Sequence, residues 1–137
     1  MNRLKIIIVV DWFAESMGYA ENCLPKAFAS LGYETHVVTS NVKPYFNFSF
    51  YNETYKPFLG PAVVPCDIKS HDGYMLHRLP HRMFFDKPQI KDLRRYVLDL
   101  HPTIIQTFEP MCIPNFDILL ARLSSDFPLF IGSHIHA

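Results

Sequence analysis

Hydrophobic residues along the chain fall into short aliphatic runs that alternate with stretches of helical spacing. Residues 4–10 are nearly all Leu, Ile and Val and stop at Asp11. A run without polar alternation is what a central parallel strand, buried on both faces, requires. Leu24, Ala27, Phe28 and Leu31 then recur at i, i+3, i+4 and i+7, and Gly32 supplies a left-handed C-terminal cap. Pro25 is tolerated only in a first turn, which places the start of this helix near Asn22. Residues 34–39 read as the second strand, and residues 74–79 as the third. Asp86, with Gln89 at the capping-box position and Pro88 in the first turn, predicts a helix. Its apolar face is Ile90, Leu93, Val97 and Leu100, and Pro102 ends it. Residues 103–108 make a fourth strand, 116–123 a third helix and 129–132 a fifth strand. Strands alternating with helices predict an α/β fold: a Rossmann-like, doubly wound, mainly parallel sheet in three α/β/α layers, with residues 1–137 as one domain.

Residues 41–72 break the rhythm. Tyr45, Phe46, Phe48, Phe50, Tyr51, Tyr55 and Phe58, punctuated by Pro44 and Pro57, show little regular period. A loop this long is usually functional or disordered, and its aromatic density argues against disorder. It could stack on sugar rings or touch a membrane interface, but packing under a long loop is the plainer expectation.

Composition narrows the classes. Hydrophobic residues make up 49%, aromatic 15% and charged 19%, so part of the apolar surface is expected to be covered by something outside the chain. The net charge is +0 and no basic run exists, which excludes nucleic acid as a partner. The longest apolar run is too short for a transmembrane helix or a secretory signal. Cys23, Cys66 and Cys112 are far apart, with no Cys-x-x-Cys. They read as reduced cytoplasmic thiols, neither disulfides nor metal ligands. Lys43, Lys56 and Lys69 are too scattered for an anionic-lipid patch, which leaves peripheral membrane association open.

Candidate chemistry lies at strand ends, where open α/β sheets build their clefts. No Gly-x-Gly-x-x-Gly follows the first strand, and there is neither a Walker lysine nor a serine-centred nucleophile elbow. Instead the loop after the first strand carries Met17, Gly18 and Tyr19. A glycine there lets backbone approach a ligand, and the next helix N-terminus offers free N–H groups to an anion; an ordinary turn is the competing reading. Glu109 and Pro110 follow the fourth strand, where a carboxylate can accept hydrogen bonds from sugar hydroxyls or simply face solvent. His134 and His136, two apart on an extended segment, share one face. A phosphate or hydroxyl suits them better than a metal, which lacks a third ligand. The remaining histidines, His36, His71, His77, His81 and His101, read as surface or packing residues.

Four segments together resemble the N-terminal domain of a family 4 retaining glycosyltransferase of the GT-B type: residues 5–13 with the Gly18 loop, residues 31–40, residues 101–110 and residues 128–136. The likeness spans nearly the whole chain outside 41–72. It implies an acceptor-binding domain whose Gly18 loop, with Met17 and Tyr19, lies on the acceptor and donor-phosphate side of an interdomain cleft. Glu109 and Pro110 would line the acceptor pocket, with His134 beside them. His136 would be the catalytic histidine, touching the transferred sugar or the acceptor. The donor, a UDP- or GDP-sugar, would be held by a second Rossmann domain carrying a Glu-x7-Glu pattern. That domain lies outside this chain, so the expectation is a truncated half, inactive alone, for which no cofactor of its own is implied. The acceptor would be a sugar or a lipid-linked sugar. Gln106 and Phe108 stand where the family has two histidines, and Met17-Gly18 where it has paired glycines. Those departures are what the alternative, a non-catalytic Rossmann-like binding module, would show.

Overall fold

The computed structural model describes residues 3–133. The Ile-rich run forms strand β1 (Lys5–Val9), which pairs in parallel with β2 (Glu34–Ser40) on one side and β7 (Ile104–Phe108) on the other. Parallel pairing continues outward to β4 (Tyr74–Leu79) beside β2 and β8 (Leu129–Gly132) beside β7. The edge next to β4 is closed by an antiparallel strand, β3 (Ile68–His71), giving the order β3-β4-β2-β1-β7-β8. The protein is therefore α/β, with a mostly parallel six-stranded sheet.

Side chains of β1 alternate between two cores. Ile7 and Val9 point to a cluster with Val38 and Ile105, closed by Leu93 and Val97 of helix α4 (Leu93–Asp99) and Ile118 and Ala121 of helix α5 (Ile113–Arg122). Ile6 and Ile8 point the other way, to Val37, Tyr74, Leu76 and Phe108 under helix α1 (Ala20–Ser30). Each face of β1 thus meets helices, which is why its sequence has no polar alternation.

Helix α1 ends as its sequence requires. Gly32 sits at φ 91°, its N–H donates to Ala29 O (3.0 Å), and the Tyr33 N–H donates to Phe28 O (3.1 Å). This is a Schellman cap, reinforced by the edge-on contact of Phe28 with Tyr33 at 6.5 Å. Two expectations for this helix fail. It begins at Ala20, so Pro25 lies inside it and leaves the Glu21 carbonyl without its i+4 donor. Leu31 is 71% exposed and takes no part in the buried face.

The region 41–72 is more ordered than its pattern showed. It contains two single turns, α2 (Tyr51–Thr54) and α3 (Lys56–Leu59), a bridge between Val42 and Val63, and β3. Tyr45 stacks on Tyr55 at 4.7 Å and packs on Phe48 at 5.5 Å, so the aromatic density chiefly packs the segment upon itself.

The helix expected from Asp86 is wrong in its first turn. Strands β5 (His81–Phe84) and β6 (Lys87–Ile90) form a separate antiparallel hairpin, turned at Phe85 with φ 53°. Asp86 belongs to that turn and Gln89 accepts from Arg82 Nε at 2.7 Å. The helix begins only at Leu93, after Asp92 in the left-handed region at φ 55°. Ile90, expected on the helix face, reaches the same core from β6.

Candidate functional site

A cleft of about 380 Å³ opens at the carboxyl ends of β1 and β7, bounded by the start of α1, the start of α5 and Lys87 of the hairpin. The chain leaves β1 for β2 on one side, and β7 lies on the other, so the order of strands reverses here. Two loops diverging from adjacent carboxyl ends leave such a crevice between them.

Its first wall is the loop after β1, held rigidly. Ser40 Oγ donates to the Asp11 carbonyl, Asn22 Nδ2 to Ala14 O (2.8 Å) and Arg78 Nη2 to Phe13 O (3.1 Å). Glu15 ties the loop to three further places: Lys43 at 2.7 Å, Arg78 at 3.1 Å and Lys69 at 3.2 Å. Burial opposes the Glu15 charge, yet the hydrogen bond from Lys43 and the charge of Arg78 outweigh it and hold the carboxyl well below the ordinary range. Arg78 itself is only 2% exposed. The loop's backbone is therefore a fixed frame. It presents Asp11, Trp12 and Tyr19 to the cleft, with Trp12 backed by Tyr45 at 5.8 Å and Phe46 at 6.5 Å.

The second wall is the turn after β7. Glu109 adopts φ 58°, a left-handed conformation uncommon outside glycine. It is held there by its N–H to Gly132 O (2.8 Å) and by its carbonyl, which accepts from Cys112 N (3.0 Å) and Asn115 Nδ2 (2.7 Å). Asn115 is 2% exposed, lines the cleft, and spends its amide donor on the carbonyls of Glu109 and Pro110; its buried Oδ1 has no hydrogen-bond partner among the described residues.

Among the described residues the cleft lining holds the carboxylates Asp11, Glu21 and Glu109 and the cation Lys87, whose Nζ stands 5.8 Å from the Trp12 ring centre. Burial pushes the Asp11 carboxyl above its usual value, with Trp12 N–H and Lys87 pulling the other way. The Cys112 thiol is pushed up to about 12, by burial first and then by Asp11 and Glu109. It is neither a nucleophile nor a ligand in this state. Cys23, Cys66 and Cys112 are all free thiols. Among the described residues no group of His, Cys, Asp and Glu could hold a metal ion.

Of the residues singled out in the sequence, Tyr19 and Glu109 meet in this cleft. Met17, Gly18 and Pro110 are not among its lining residues. A side chain at Gly18 would meet nothing within 4 Å, so nothing in the fold requires glycine there. His134 and His136 lie outside the described residues. The cleft also draws on Asp11, Trp12, Glu21, Lys87, Cys112 and Asn115, which no motif in the sequence singles out. Asp11 ends a buried strand and could have been found from that alone, whereas Lys87 arrives through the unforeseen hairpin. The anion site expected at the start of α1 is poorly made, because Glu21 occupies its first turn and Asp11 and Glu109 share the cleft.

A second polar cluster lies beneath the sheet, built around two histidines expected only at the surface or in packing. His36 Nδ1 is 2.8 Å from His77 Nε2, His36 Nε2 3.0 Å from Glu34 Oε1, and His77 Nδ1 2.8 Å from the Tyr96 hydroxyl. Lys5 Nζ closes the outer end on Glu34 at 3.1 Å. One proton arrangement satisfies every contact with both rings neutral: Tyr96 O–H donates to His77, His77 Nε2–H to His36, and His36 Nε2–H to Glu34. Burial, with His36 adding, pushes His77 down to about 4. The hydrogen bond from His36 is the largest cause holding Glu34 below its usual value.

No described helix is long and apolar enough to cross a membrane. No protein-family model, no curated protein and no solved structure matches the chain, so the cleft's own residues are what bear on its ligand.

Proposed function

We propose that this chain is a Rossmann-like, doubly wound domain that binds the acceptor of a nucleotide-sugar-dependent retaining glycosyltransferase, its donor being held by a second domain. Taken in chain order, the five parallel strands lie third-second-first-fourth-fifth across the sheet, the order of the first strands of a dinucleotide-type half. The observation that carries the functional reading is the lining of the cleft at the strand reversal: Asp11, Glu21 and Glu109 beside the rings of Trp12 and Tyr19. Carboxylates accept from sugar hydroxyls, and an aromatic face covers the apolar side of a pyranose ring. The same lining disfavours a diphosphate, consistent with the donor nucleotide being bound elsewhere.

The test is an amide-shift titration of the chain with glucose and, separately, with UDP and GDP. Glucose is expected to move the amides of residues 11–21 and 109–115, and the nucleotides to move none. Nucleotide binding in this cleft, or no response to sugar, refutes the assignment.

One observation favours a non-catalytic binding module. Gln106 turns back to donate to the Thr107 carbonyl at 2.8 Å, and Phe108 is buried against Ile8 and Val10. Neither position offers a group that moves a proton. Sugar binding without transfer, in the presence of a donor-binding partner domain, would select this reading.

A further inference from the structure

We infer that, whatever the cleft binds, the tip of the β5–β6 hairpin is an anchor for a lipid surface, inserting Phe84 and Phe85 into the boundary between headgroups and acyl chains.

The hairpin is rooted at its base and bare at its end. Pro88 and Ile90 are buried, and Ile90 joins the core under α4 and α5. Every residue from Arg82 to Lys87 is exposed. Phe84 pairs with Lys87, so Phe85 and Asp86 make a two-residue turn. Phe85 stands at φ 53° and is 87% exposed. Two-residue turns favour glycine or asparagine in the left-handed region, and a bulky ring there is an outlier. The fold therefore tolerates both backbone strain and a bare aromatic at one position, and such outliers mark function more often than packing. Phe84, 54% exposed, packs edge-on against Phe85 at 4.9 Å, ring on ring.

The turn is also held in place. Asn47 Nδ2 donates to the Asp86 carbonyl at 3.2 Å, Arg82 Nε donates to Gln89 at 2.7 Å, and the His81 ring at the base meets Phe46 edge-on at 5.7 Å. Beside the turn, a groove of about 670 Å³ between the hairpin and the start of α5 is lined by Met83, Phe84, Ile113 and Phe116. Phe116 is itself 59% exposed, so the apolar surface continues from the crest onto α5.

A bilayer fits this shape better than a protein does. A protein pocket would have to close round both sides of a convex turn, whereas a bilayer needs apolar residues outermost and cations behind them. Arg82 lies two residues behind Phe84, about 7 Å along the strand, and interfacial side chains sink about 5–10 Å. Its guanidinium then falls at headgroup depth, and Lys87, opposite Phe84, lies within a screening length of the same surface. Asp86 stands in the turn and the charge of Arg82 also acts on Asp117, so the aromatic crest supplies most of the affinity and the cations a preference for anionic lipid.

Sedimentation of the whole chain with vesicles of phosphatidylcholine, with and without phosphatidylserine, tests this. The chain should bind both, and the anionic vesicles more tightly. Phe85→Asn suits the left-handed turn, so it should leave stability in urea unchanged or raised while weakening vesicle binding at least about tenfold. Phe84→Thr, which keeps a strand-forming residue, should weaken it by a similar factor. Arg82→Gln should cost about fivefold on anionic vesicles and leave binding to phosphatidylcholine unchanged. Absence of binding to either vesicle, or binding that survives both aromatic substitutions, overturns the inference. A dimer in solution that Phe85→Asn abolishes, without vesicle binding, overturns it too and assigns the tip to a second copy of the chain.

Discussion

Acidification acts on the His36–His77 pair in a way that can be worked through. His77 is 4% exposed and hydrogen-bonded at both nitrogens. Its folded value is pushed down to about 4 from the ordinary 6.5. Above pH 6.5 neither the folded nor the unfolded chain protonates it. Between 6.5 and about 4 only the unfolded chain takes the proton, so unfolding gains progressively, and below about 4 the loss is complete. That interval corresponds to about 3 kcal/mol of stability, present at neutral pH and lost in acid. Glu34 and Glu15, held low, add to the loss in the same direction, while Asp11 and Asp117, raised by burial, oppose it. The comparison that isolates His77 is with His77→Gln, which cannot titrate. Urea denaturation followed by Trp12 fluorescence gives both stabilities at steps from about pH 7.5 down to about pH 4. The variant should be less stable at neutral pH by roughly 1–3 kcal/mol, because Tyr96 and His36 each lose a partner. That deficit should shrink by about 3 kcal/mol, enough to close or reverse it, as the pH falls. A deficit that stays constant across the range would show that His77 takes up its proton equally in both states, and the reasoning would fail.

Other substitutions probe the frame of the cleft. Glu15→Gln leaves the buried guanidinium of Arg78 with carbonyl partners only and should cost about 3–5 kcal/mol in urea denaturation; a double variant with Arg78→Met should recover part of it. Gly32→Ala places a side chain at φ 91° and should cost about 1 kcal/mol, whereas Gly18→Ala, pointing into open space, should change stability by less than about 0.5 kcal/mol. A thermal melt separates the two, and an equal cost would mean that Gly18 carries a constraint absent from this fold. Ile118→Ala, emptying a fully buried position under the sheet, should lower stability by about 2–5 kcal/mol in the same denaturation assay.

What could be read in advance was what is local. Each of the five parallel strands falls on a short segment whose residues mark a strand, β1 most plainly as an aliphatic run, and the Gly32 cap follows from one residue type. The β5–β6 hairpin misled because Asp86, Pro88 and Gln89 fit a helix start as well as they fit a turn and an edge strand; Ile90 reaches the same core in either case, and what differs is the antiparallel pairing of β5 with β6. The antiparallel β3 was hidden because Lys69, Ser70 and His71 give an edge strand little apolar signal. The His36–His77 contact depends on parallel register, in which His36 lies opposite Met75 and His77 opposite Val38. No single stretch of sequence contains that pairing. The site was legible only by half: Glu109 and Tyr19 follow from their places after a strand and before a helix, but Lys87 and Asn115 come from elements whose positions only folding supplies.

Glu15 reaches across 63 positions of sequence to Arg78 and also engages Lys43 and Lys69. The loop it anchors can therefore settle only after β2, β3 and β4 have come together, so its ordering is paid for during folding. A ligand arriving later meets a wall already in place, surrendering little of its affinity to induced ordering. Amide hydrogens of this loop should accordingly exchange on the schedule of whole-domain opening, unlike those of an ordinary surface connection.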